Sequence, residues 1–526
     1  MPYWGALFGQ PLRVTVPPEF ASEATLLAHL GVGSRELKKI WHYRERMYQH
    51  FSIAKGENKL RLISAPDARL KYIQRQIADR LDVMYRPRNP VHGFVAHRSV
   101  KTNAAAHLGR RYVVNLDLKD YFPTITENRV EGMLGSLNLD SRVAAIIARI
   151  CCVNNRLPQG APSSPVLSNM ICFRLDKRLM NIAKSARCIY TRYADDITFS
   201  SHQPASPLFE AGPPSAGRFA PELLAPDLRD AIANNGFAIH PDKAHYADRH
   251  SRRIVTGVKI NELLNVDRRY VRNLRAALYS IETLGLATAE QKYRDSHGGS
   301  GALVSHLRGK IAYLAHIKGA TDPVVRGITV RFNRCFPATP IEVTPTAIEM
   351  RDRAVWVLDN DAAVEQGTAF FMENVGLVTA AHCVEHASEV EIYHPSKPAN
   401  KFKARVLKAD LPRDLALLEH DIAATEYFEL TRSVQTVQPG DHVTAIGYPE
   451  YAPGAGINLR GGTVAARTVR SGVDYVEVTQ TLGQGMSGGP VLDSDNGVVG
   501  IIHRGGPDEW RNFAVALKML DDWLAE

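Results

Sequence analysis

The sequence predicts a multidomain protein in which an α/β part with a helical end precedes an all-β part. Its 526 residues exceed what one hydrophobic core organises. From about residue 40 to residue 272 helical patterns alternate with short β-branched runs, whereas beyond residue 350 glycine turns separate short strand-like runs. A proline-rich stretch, residues 336–345, lies between the two patterns and predicts a linker.

The predicted domain boundaries follow these changes of pattern. We expect an α/β body over residues 1–262, a helical part over 263–335, a linker over 336–349 and a β domain over 350–526. A stretch rich in Pro, Ala and Gly, residues 201–226, interrupts the α/β body. We interpret that stretch as a surface insertion.

Charge divides the chain into a basic part and an acidic part. Of the 64 Lys and Arg and the 55 Asp and Glu, residues 341–526 hold 15 and 27, which leaves 49 and 28 in residues 1–340. The net charges are therefore −12 for the second part and +21 for the first. An excess of that size predicts a polyanion partner, nucleic acid, for the first part only.

Composition and hydropathy argue against a membrane protein. Hydrophobic residues make up 45% of the chain, and no run approaches the ~20 consecutive apolar residues that a membrane helix needs. The first residues lack the basic start, apolar core and cleavage site of a signal peptide. The six cysteines form no CxxC pair or metal-ligand spacing. These features predict a cytoplasmic protein with reduced cysteines and no membrane partner.

Two acidic clusters accompany apolar, strand-like runs. Asp117 closes a run that begins at Val113, and Asp195 and Asp196 interrupt a second run. Joining a nucleotide to a hydroxyl group uses two divalent ions about 3.5–4 Å apart, one activating the hydroxyl group and one stabilising the leaving pyrophosphate. Mg²⁺ prefers oxygen ligands, so carboxylates alone suffice. The clusters predict that Asp117, Asp195 and Asp196 are catalytic and hold two Mg²⁺ ions.

Three further motifs stand in order around these carboxylates. RLISAP occupies residues 61–66, PQGAPSSP occupies 158–165 and GFAIHPDK occupies 236–243. The ordered set resembles the fingers and palm of reverse transcriptases over roughly residues 40–330. The resemblance implies an α/β right-hand polymerase with fingers, palm and a helical thumb.

The same resemblance implies roles for residues near the incoming dNTP. Lys59 and Arg61 would contact the triphosphate, and Gln159 would approach the nucleotide and the template. Phe122 stands where the family places an aromatic residue that rejects a ribose 2′-hydroxyl. Lys243 would protonate the pyrophosphate.

Two short signatures narrow the resemblance to the retron type. NAAAH occupies residues 103–107, before the first catalytic strand, and VTG occupies 255–257, after the palm. The retron resemblance implies that Asn103 and His107 bind nucleic acid and that a folded noncoding RNA is both template and primer. Synthesis would begin at a guanosine 2′-hydroxyl and yield branched RNA–DNA, called msDNA. An abortive-infection-type or a diversity-generating reverse transcriptase is the alternative.

A basic amphipathic helix is predicted beyond the last motif. Apolar residues recur at helical spacing at Val271, Leu274, Leu278 and Ile281. Between them lie four arginines: Arg268, Arg269, Arg272 and Arg275. We expect this helix to be the thumb and to follow phosphates without reading base sequence.

The β domain carries a second ordered set of motifs. GLVTAAHCV occupies residues 376–384, RDLALL occupies 413–418 and GQGMSGGP occupies 483–490. The set resembles trypsin-like serine proteases of the chymotrypsin fold in the order His, Asp, Ser, and implies a double β-barrel. Ser487 would be the nucleophile, His382 its general base and Asp414 the residue that orients His382. Asp410 is the alternative to Asp414.

Other features of this domain bear on control and specificity. The backbone N–H groups of Gly485 and Ser487 would form the oxyanion hole. Met486 replaces the Asp that secreted zymogens use for activation, so we expect another form of control. We assign Thr481 and His503 to the specificity pocket and expect cleavage after an acidic residue. The alternative for His503 is a histidine packed within a strand.

Together the motifs predict a bifunctional bacterial enzyme, an RNA-directed DNA polymerase and a serine endopeptidase. The retron resemblance implies a role in defence against phage, with the peptidase acting on an unidentified protein as effector. An alternative of another class is an RNA-binding scaffold whose protease-like domain only binds peptides. The intact acidic and triad residues argue against that scaffold.

Overall fold

The fold is described from a computed structural model, which covers residues 15–54, 60–297, 302–363, 365–504 and 511–526. The chain divides into two compact units, Met1–Glu342 and Val343–Glu526. Among the described residues, no helix is both long enough and apolar enough to cross a bilayer. All six cysteines are free thiols.

The first unit combines helices with short strands. Its α-helices are α1 (Glu23–Leu30), α2 (Ser34–Tyr43), α3 (Ala68–Met84), α4 (Val100–Ala105), α5 (Tyr121–Thr124), α6 (Glu127–Ser136), α7 (Ser141–Cys151), α8 (Ser164–Ile171), α9 (Phe173–Ser185), α10 (Pro226–Ala233), α11 (Arg268–Leu284), α12 (Leu286–His297), α13 (Leu303–Lys318) and α14 (Pro323–Cys335). Its strands are β1 (Tyr48–Ala54), β2 (Leu60–Pro66), β3 (Tyr112–Asp117), β4 (Ile189–Tyr193), β5 (Asp196–Ser201), β6 (Gly217–Arg218), β7 (His245–Ala247), β8 (Ile254–Val255) and β9 (Val258–Lys259).

An antiparallel sheet of five strands, in the order β4-β5-β3-β7-β6, forms the palm. Strand β3 is buried along most of its length, as its apolar sequence requires. The register sets Asp117 opposite Asp196 and Asn115 opposite Thr198. Because side chains alternate along a strand, these four residues share one face of the sheet.

The proline-rich stretch within the palm is not a surface insertion. Five of its apolar side chains belong to the main hydrophobic core: Ala205, Leu208, Phe209, Phe219 and Leu224. Its residues Gly217 and Arg218 form β6 and pair with β7 at the sheet edge. The sequence did not indicate this role because the five buried apolar residues are few and follow neither a helical nor a strand period.

Helices α11 to α14 and the β8–β9 hairpin share a separate hydrophobic cluster. Leu274 and Leu278 of α11 pack with Leu307 and Ile311 of α13 and with Phe332 of α14. The spacing of the α11 residues places them on one helix face, as the sequence predicted. The basic residues of α11 therefore lie on its opposite, solvent-facing side.

The second unit is built mainly from strands. These are β10 (Val355–Asn360), β11 (Glu365–Met372), β12 (Gly376–Thr379), β13 (Glu389–Tyr393), β14 (Phe402–Asp410), β15 (Leu415–Glu419), β16 (His442–Gly447), β17 (Asn458–Arg470), β18 (Val473–Val478), β19 (Pro490–Leu492), β20 (Val498–Arg504) and β21 (Asn512–Ala516). Helix α15 (Ala347–Ala354) precedes them, beginning inside the predicted linker, and α16 (Leu517–Ala525) follows.

These strands close into two antiparallel barrels of six, β10-β11-β12-β15-β14-β13 and β16-β17-β18-β21-β20-β19. The predicted double barrel is therefore confirmed. Both faces of β10 are buried: Trp356 and Leu358 point into the first barrel, whereas Val355 and Val357 join a cluster shared with the second. That shared cluster aligns the two barrels within this unit.

Candidate active sites

The three polymerase carboxylates converge at one end of the palm sheet. Asp117 ends β3, Asp196 begins β5 opposite it, and Asp195 lies in the β4–β5 turn. The backbone N–H of Leu118 donates to the Asp195 carbonyl at 3.0 Å, which ties the turn to the end of β3. Ala194 enters the turn with a φ of 55°.

This set of donors fits Mg²⁺, because every candidate ligand atom is a carboxylate oxygen. Among the described residues these carboxylates do not form a cluster of three within 4.8 Å. Asp117, Asp195 and Asp196 are the residues that would hold such ions.

Lys243 forms an ion pair with Asp117, with its Nζ 2.6 Å from Oδ2. The Lys243 side chain is 34% exposed, whereas that of Asp117 is 10% exposed. A short 3-10 turn, Pro241–Lys243, carries the lysine, and the N–H of His240 donates to the Asp117 carbonyl at 2.7 Å. The turn thus fixes a positive charge beside the carboxylates.

A buried ion pair supports the β4–β5 turn that carries Asp195. Arg192 of β4 and Asp176 of α9 are both fully buried and form two parallel hydrogen bonds of 2.7 and 2.8 Å. Arg192 also donates to the Ala194 carbonyl at 3.1 Å. Burial alone would lower the pKa of Arg192, but Asp176 outweighs burial and keeps it well above its usual value. Sequence analysis missed this support, although Arg192 stands three residues before Asp195.

Close backbone packing also supports the turn. A Cβ atom on Gly93 would lie 2.3 Å from the Ala194 nitrogen, so only glycine fits there. The Asn169 side chain donates to the Gly93 carbonyl at 3.0 Å and accepts from Arg192 at 3.1 Å. The turn that carries Asp195 is therefore held on two sides by buried groups.

The residues assigned to the nucleotide lie on several elements around the carboxylates. Arg61 is exposed on β2, and the Gln159 carbonyl accepts the Ser64 N–H at 2.9 Å, which docks the PQG loop on the same hairpin. Phe122, half-buried at the start of α5, has its ring 6.0 Å from that of Phe94. Lys59 lies outside the described residues.

The structure corrects the assignment of Asn103 and His107 to nucleic-acid binding. Their exposures are 1% and 0%, so neither side chain reaches a ligand. His107 lies between Ser200 of β5 at 2.6 Å and Thr191 of β4 at 2.7 Å, and burial lowers its pKa to about 3. Asn103 donates to the Thr256 hydroxyl at 3.4 Å, so the NAAAH and VTG signatures meet. His107 therefore braces the catalytic hairpin β4–β5, and Asn103 joins α4 to the β8–β9 turn.

The thumb arginines lie as predicted on the exposed side of α11. Arg269 is paired with Asp267 at 3.3 Å, an aspartate that also caps the helix. Arg268, Arg272 and Arg275 form no ion pair among the described residues. Spacings of four and three residues place these three on one helix face.

The residues assigned to the peptidase triad come from both barrels of the second unit: His382 and Asp414 from the first barrel and Ser487 from the second. His382 Nδ1 lies 2.8 Å from Asp414 Oδ2, and the His382 backbone N–H donates to Oδ1 at 2.9 Å. Asp410 is paired with Arg413 instead, so the structure favours Asp414. Ser487 Oγ lies 3.4 Å from the carbonyl oxygen of His503, and attack requires it to turn toward His382.

The two charged groups shift each other's pKa in opposite directions. Burial alone would lower the pKa of His382, but the hydrogen bond to Asp414 outweighs burial and raises it above 6.5. Burial alone would raise the pKa of Asp414, but the hydrogen bonds from His382 and His503 lower it below 3.8. The two shifts together favour protonated His382 beside ionised Asp414. This is the charge state that forms when His382 accepts the serine proton.

The nucleophile loop is held by a buried threonine that sequence analysis missed. The Thr368 hydroxyl donates to the Gly485 carbonyl at 2.8 Å and accepts the Tyr448 N–H at 3.1 Å. The Thr368 N–H donates to the Ser487 carbonyl at 2.9 Å. Gly485 has a φ of 88°, and a Cβ there would lie 2.7 Å from the Tyr448 carbonyl. These contacts fix the Gly485–Met486 peptide group. The Gln484 carbonyl, which shares its peptide group with the Gly485 N–H, accepts the Glu450 N–H at 3.0 Å, and this contact sets the direction of the N–H assigned to the oxyanion hole.

Met486 is fully buried within the cluster of the second barrel. Its sulfur accepts the Gly483 N–H at 3.5 Å, so an apolar contact occupies the position that carries an Asp in secreted zymogens. Cys383 is also buried, and a Cβ on Gly367 would lie 2.7 Å from its sulfur.

The structure places His503 on Asp414 and not in a specificity pocket. Its Nδ1 lies 2.5 Å from Asp414 Oδ2. A β-bulge between Ile502 and Arg504 takes His503 out of the β20–β21 register and redirects its side chain. Thr481 is exposed, and its carbonyl accepts a hydrogen bond from Arg460 at 2.7 Å. The expected cleavage after acidic residues depended on His503 as the basic side chain of the pocket, and the contact with Asp414 leaves that expectation without support.

Comparison with known proteins identifies a family model in each part of the chain. Residues 53–260 match the family model described as reverse transcriptase (RNA-dependent DNA polymerase). Residues 367–501 match the model described as trypsin-like peptidase domain. Fold and sites thus define the class: a reverse transcriptase joined to a trypsin-like serine peptidase domain.

The relatives narrow that class. The retron Mx65 reverse transcriptase of Myxococcus xanthus is 35% identical over 320 residues, which are 56% of this chain and 68% of the relative. The retron Mx162 reverse transcriptase of the same organism is 32% identical over 336 residues, 58% of this chain and 65% of the relative. The chain belongs to the retron reverse transcriptase family, and it spans about two thirds of the length of these relatives.

Solved structures give a more distant likeness. The active form of the Rv3671c protease from M. tuberculosis is 20% identical and covers 36% of this chain and 92% of its own, with a TM-score of 0.30. A likeness at this level concerns the fold alone.

Proposed function

We propose that the first unit copies a folded noncoding RNA into DNA from a 2′-hydroxyl of that RNA and so produces msDNA. The observation that carries the proposal is the register that sets Asp117 opposite Asp196, with Asp195 in the adjoining turn. When bound there, two Mg²⁺ ions would activate the attacking hydroxyl group and stabilise the pyrophosphate. Membership of the retron family favours this activity over the abortive-infection-type and diversity-generating alternatives.

The chain's own residues would bind and orient the dNTP. Lys243 neutralises Asp117 before substrate arrives and can then donate a proton to the pyrophosphate, since its side chain is partly exposed. Arg61 and Lys59 would hold the triphosphate, and Gln159 would line the nucleotide site. Phe122 would reject a 2′-hydroxyl by contact.

The thumb would hold the RNA through its phosphates. Arg268, Arg272 and Arg275 share an exposed face, and residues 1–340 carry the excess of positive charge. Each phosphate contact adds about 0.7–0.9 to the slope of log affinity against log salt. We expect Arg272→Gln to lower this slope by about that amount, whereas Arg413→Gln leaves it unchanged. Equal RNA affinity of the isolated fragment 341–526 would contradict this role.

We propose that the second unit is an active endopeptidase. Ser487 Oγ attacks the scissile carbonyl carbon while its proton moves to His382 Nε2. The N–H groups of Gly485 and Ser487 stabilise the oxyanion, and His382 passes the proton to the leaving amine. Water then hydrolyses the acyl ester with His382 as base. Labelling of Ser487 by a fluorophosphonate probe in the wild-type and Asp195→Asn chains tests this activity, and a Ser487 that stays unlabelled in both chains would favour a peptide-binding scaffold instead.

We propose further that this peptidase is a cytoplasmic anti-phage effector restrained by the msDNA. A polymerase has no chemical need for a peptidase on the same chain, and unrestrained proteolysis would harm the host cell. Met486 fills the position of the zymogen switch, so the restraint comes from elsewhere. A shift of the active population from 1:99 to 99:1 requires about 5.5 kcal/mol of differential binding, within reach of an interface with many phosphates.

Toxicity in bacteria tests the restraint. Asp195→Asn makes no DNA, so we expect it to be toxic when Ser487 is intact and harmless when combined with Ser487→Ala. A harmless Asp195→Asn chain with a silent peptidase would indicate that the product activates. Peptidase activity that is the same with and without msDNA would contradict both. Sequencing the nucleic acid that copurifies with the wild-type chain identifies the RNA.

A further inference from the structure

The loop between α3 and α4 presents an aromatic side chain beside the catalytic turn of the polymerase. This residue is Phe94, and 44% of its side chain is exposed. Its backbone has a φ of 59°, in the left-handed region that bulky residues rarely adopt. Such a conformation costs free energy, so other contacts must hold Phe94 in it.

The loop is fixed to the strand that leads into the catalytic turn. Arg192 of β4 donates its backbone N–H to the Pro90 carbonyl at 2.9 Å, and its own carbonyl accepts the N–H of His92 at 2.8 Å. The Arg98 side chain donates from Nη1 to the Arg88 carbonyl at 2.8 Å, which joins the two ends of the loop. The backbone around Phe94 is therefore held by β4 and by the loop itself.

The residue before Phe94 packs directly on the catalytic turn. A Cβ on Gly93 would lie 2.3 Å from the backbone nitrogen of Ala194, the residue that precedes Asp195. The Gly93 carbonyl accepts a hydrogen bond from the buried Asn169 side chain at 3.0 Å. These contacts explain how the strained φ persists, and they set the position of the Phe94 ring relative to the turn.

The Phe94 ring faces the ring of Phe122. Their centroids lie 6.0 Å apart and their planes are inclined by 45°, a favourable arrangement for an aromatic pair. The ring of Tyr121 contacts Phe122 edge to face, with centroids 5.1 Å apart. Tyr121 is buried, and its hydroxyl group accepts a hydrogen bond from Arg192 at 3.1 Å. Phe122 is thus packed against one buried ring and one exposed ring.

We propose that Phe94 is a positioning residue that holds the Phe122 ring where it rejects a ribonucleoside triphosphate (rNTP). The inference rests on the polymerase function and on the role of Phe122 proposed above. A ring excludes a 2′-hydroxyl by contact only while it is kept from turning away, and half-buried Phe122 lies in a helix of four residues. Because Phe94 is fixed to the turn that carries Asp195, it couples the position of the Phe122 ring to that of the carboxylates.

Two other roles for Phe94 would have different effects. A ring that stacks on a template base would affect the addition of dNTPs and rNTPs equally. A ring that only stabilises the catalytic turn would affect kcat, because its loss would misplace Asp195. Only a ring that holds Phe122 should, when removed, increase the addition of rNTPs, and a damaged fold does not produce such a gain.

Addition of a single nucleotide by the full chain tests the proposal, with a DNA primer annealed to an RNA template in Mg²⁺. The ratio of kcat/KM for a dNTP to kcat/KM for the matching rNTP measures sugar discrimination. Phe94→Gly removes the ring and adopts the positive φ without strain, whereas Phe94→Tyr keeps a ring. Tyr43→Ala, at an aromatic position of α2 that is 54% exposed, is the matched control.

Phe94→Gly should lower the discrimination ratio about 10-fold through a gain in rNTP addition, while kcat for the dNTP stays within about twofold of wild type. Phe94→Tyr and Tyr43→Ala should keep the wild-type ratio. Phe122→Ala should lower the ratio further. Adding Phe94→Gly to Phe122→Ala should then change the ratio by less than about twofold, because the ring through which Phe94 acts is gone.

Three results would overturn the proposal. These are a lower kcat for the dNTP in Phe94→Gly with no gain in rNTP addition, an equal change for both nucleotides, and independent effects of the two substitutions in the double variant. A wild-type ratio in Phe122→Ala would instead overturn the role assigned to Phe122. A wild-type chain that adds neither nucleotide would overturn the polymerase function itself.

Discussion

The two catalytic sites handle negative charge in opposite ways. The polymerase site gathers three carboxylates at one end of a sheet, and Lys243 forms an ion pair with one of them, Asp117. The peptidase site has one buried carboxylate, Asp414, which accepts three N–H donors. The first site presents carboxylate oxygens, the ligands that Mg²⁺ prefers, whereas the second uses its carboxylate to orient a histidine side chain. The comparison indicates that the polymerase site is completed when metal ions bind, whereas the hydrogen bonds around Asp414 form when the peptidase unit folds.

The supports of the two sites differ as well. A fully buried ion pair, Arg192 with Asp176, holds the catalytic turn of the polymerase. A neutral hydroxyl group, that of Thr368, holds the nucleophile loop of the peptidase. Breaking a buried ion pair leaves an uncompensated charge, whereas removing a hydroxyl group loses a hydrogen bond and the alignment that it maintains.

The largest expected effect is the complete loss of one activity while the other is retained. Ser487→Ala should lower peptide cleavage by about 10⁶-fold because the nucleophile is lost, while leaving DNA synthesis unchanged. The double variant Asp195→Asn with Asp196→Asn should abolish primer extension in Mg²⁺ while Ser487 is still labelled. Primer extension at the wild-type rate by the double variant would refute the palm assignment.

Arg192→Met should destabilise the polymerase unit by about 3–5 kcal/mol, because it leaves Asp176 charged and buried without a partner. Urea unfolding of the full chain, with hydrogen exchange of the β4 and β5 amides as the readout, measures the change in the free energy of unfolding. Arg272→Met, at an exposed position, is the control and should change stability by less than about 0.5 kcal/mol. Adding Asp176→Leu to Arg192→Met should restore part of the lost stability, because no buried charge is then left without a partner. If the second substitution instead lowers stability by about 3–5 kcal/mol more, the ion pair is not the cause.

Thr368→Val should lower kcat for peptide cleavage by about 10²–10³-fold, the usual effect of losing one oxyanion donor. The reason is that the Gly485–Met486 peptide group loses the hydroxyl group that fixes it. Thr368→Ser keeps the hydroxyl group and should retain most of the activity. Equal kcat in the Val and Ser variants would mean that the loop holds its conformation without this hydrogen bond.

The smallest effect concerns pH and should distinguish the sites without any mutation. The hydrogen bond to Asp414 raises the pKa of His382 above 6.5, and only neutral His382 accepts the serine proton. Peptidase kcat/KM should therefore fall at least tenfold per pH unit below that raised pKa, with the acid limb starting above pH 6.5. The stabilisation of the fold by protonated His382 has the matching sign: it is complete below pH 6.5 and is lost as pH rises through the raised pKa. An acid limb centred below pH 6.5 would contradict the effect of Asp414.

Sequence patterns could indicate the candidate catalytic residues because each lies in a local motif. Asp117, Asp195 and Asp196 follow strand-like runs, and the structure brings their strands together in register. Short signatures gave the wrong role where the motif is structural. His107 is buried between β4 and β5, and a sequence pattern alone does not distinguish a histidine that binds RNA from one that braces a hairpin.

By itself, then, the sequence determined the two catalytic chemistries and the order of the domains that carry them. The reason is that these depend on residue types at short spacing and on hydrophobic periodicity, both of which are local. Only the tertiary structure decided which distant groups support the sites. Asp176 reaches Arg192 across 16 positions, Thr368 reaches Gly485 across 117, and His503 reaches Asp414 across 89 because a single bulge redirects its side chain. Such contacts depend on packing and on strand register, which no local pattern specifies.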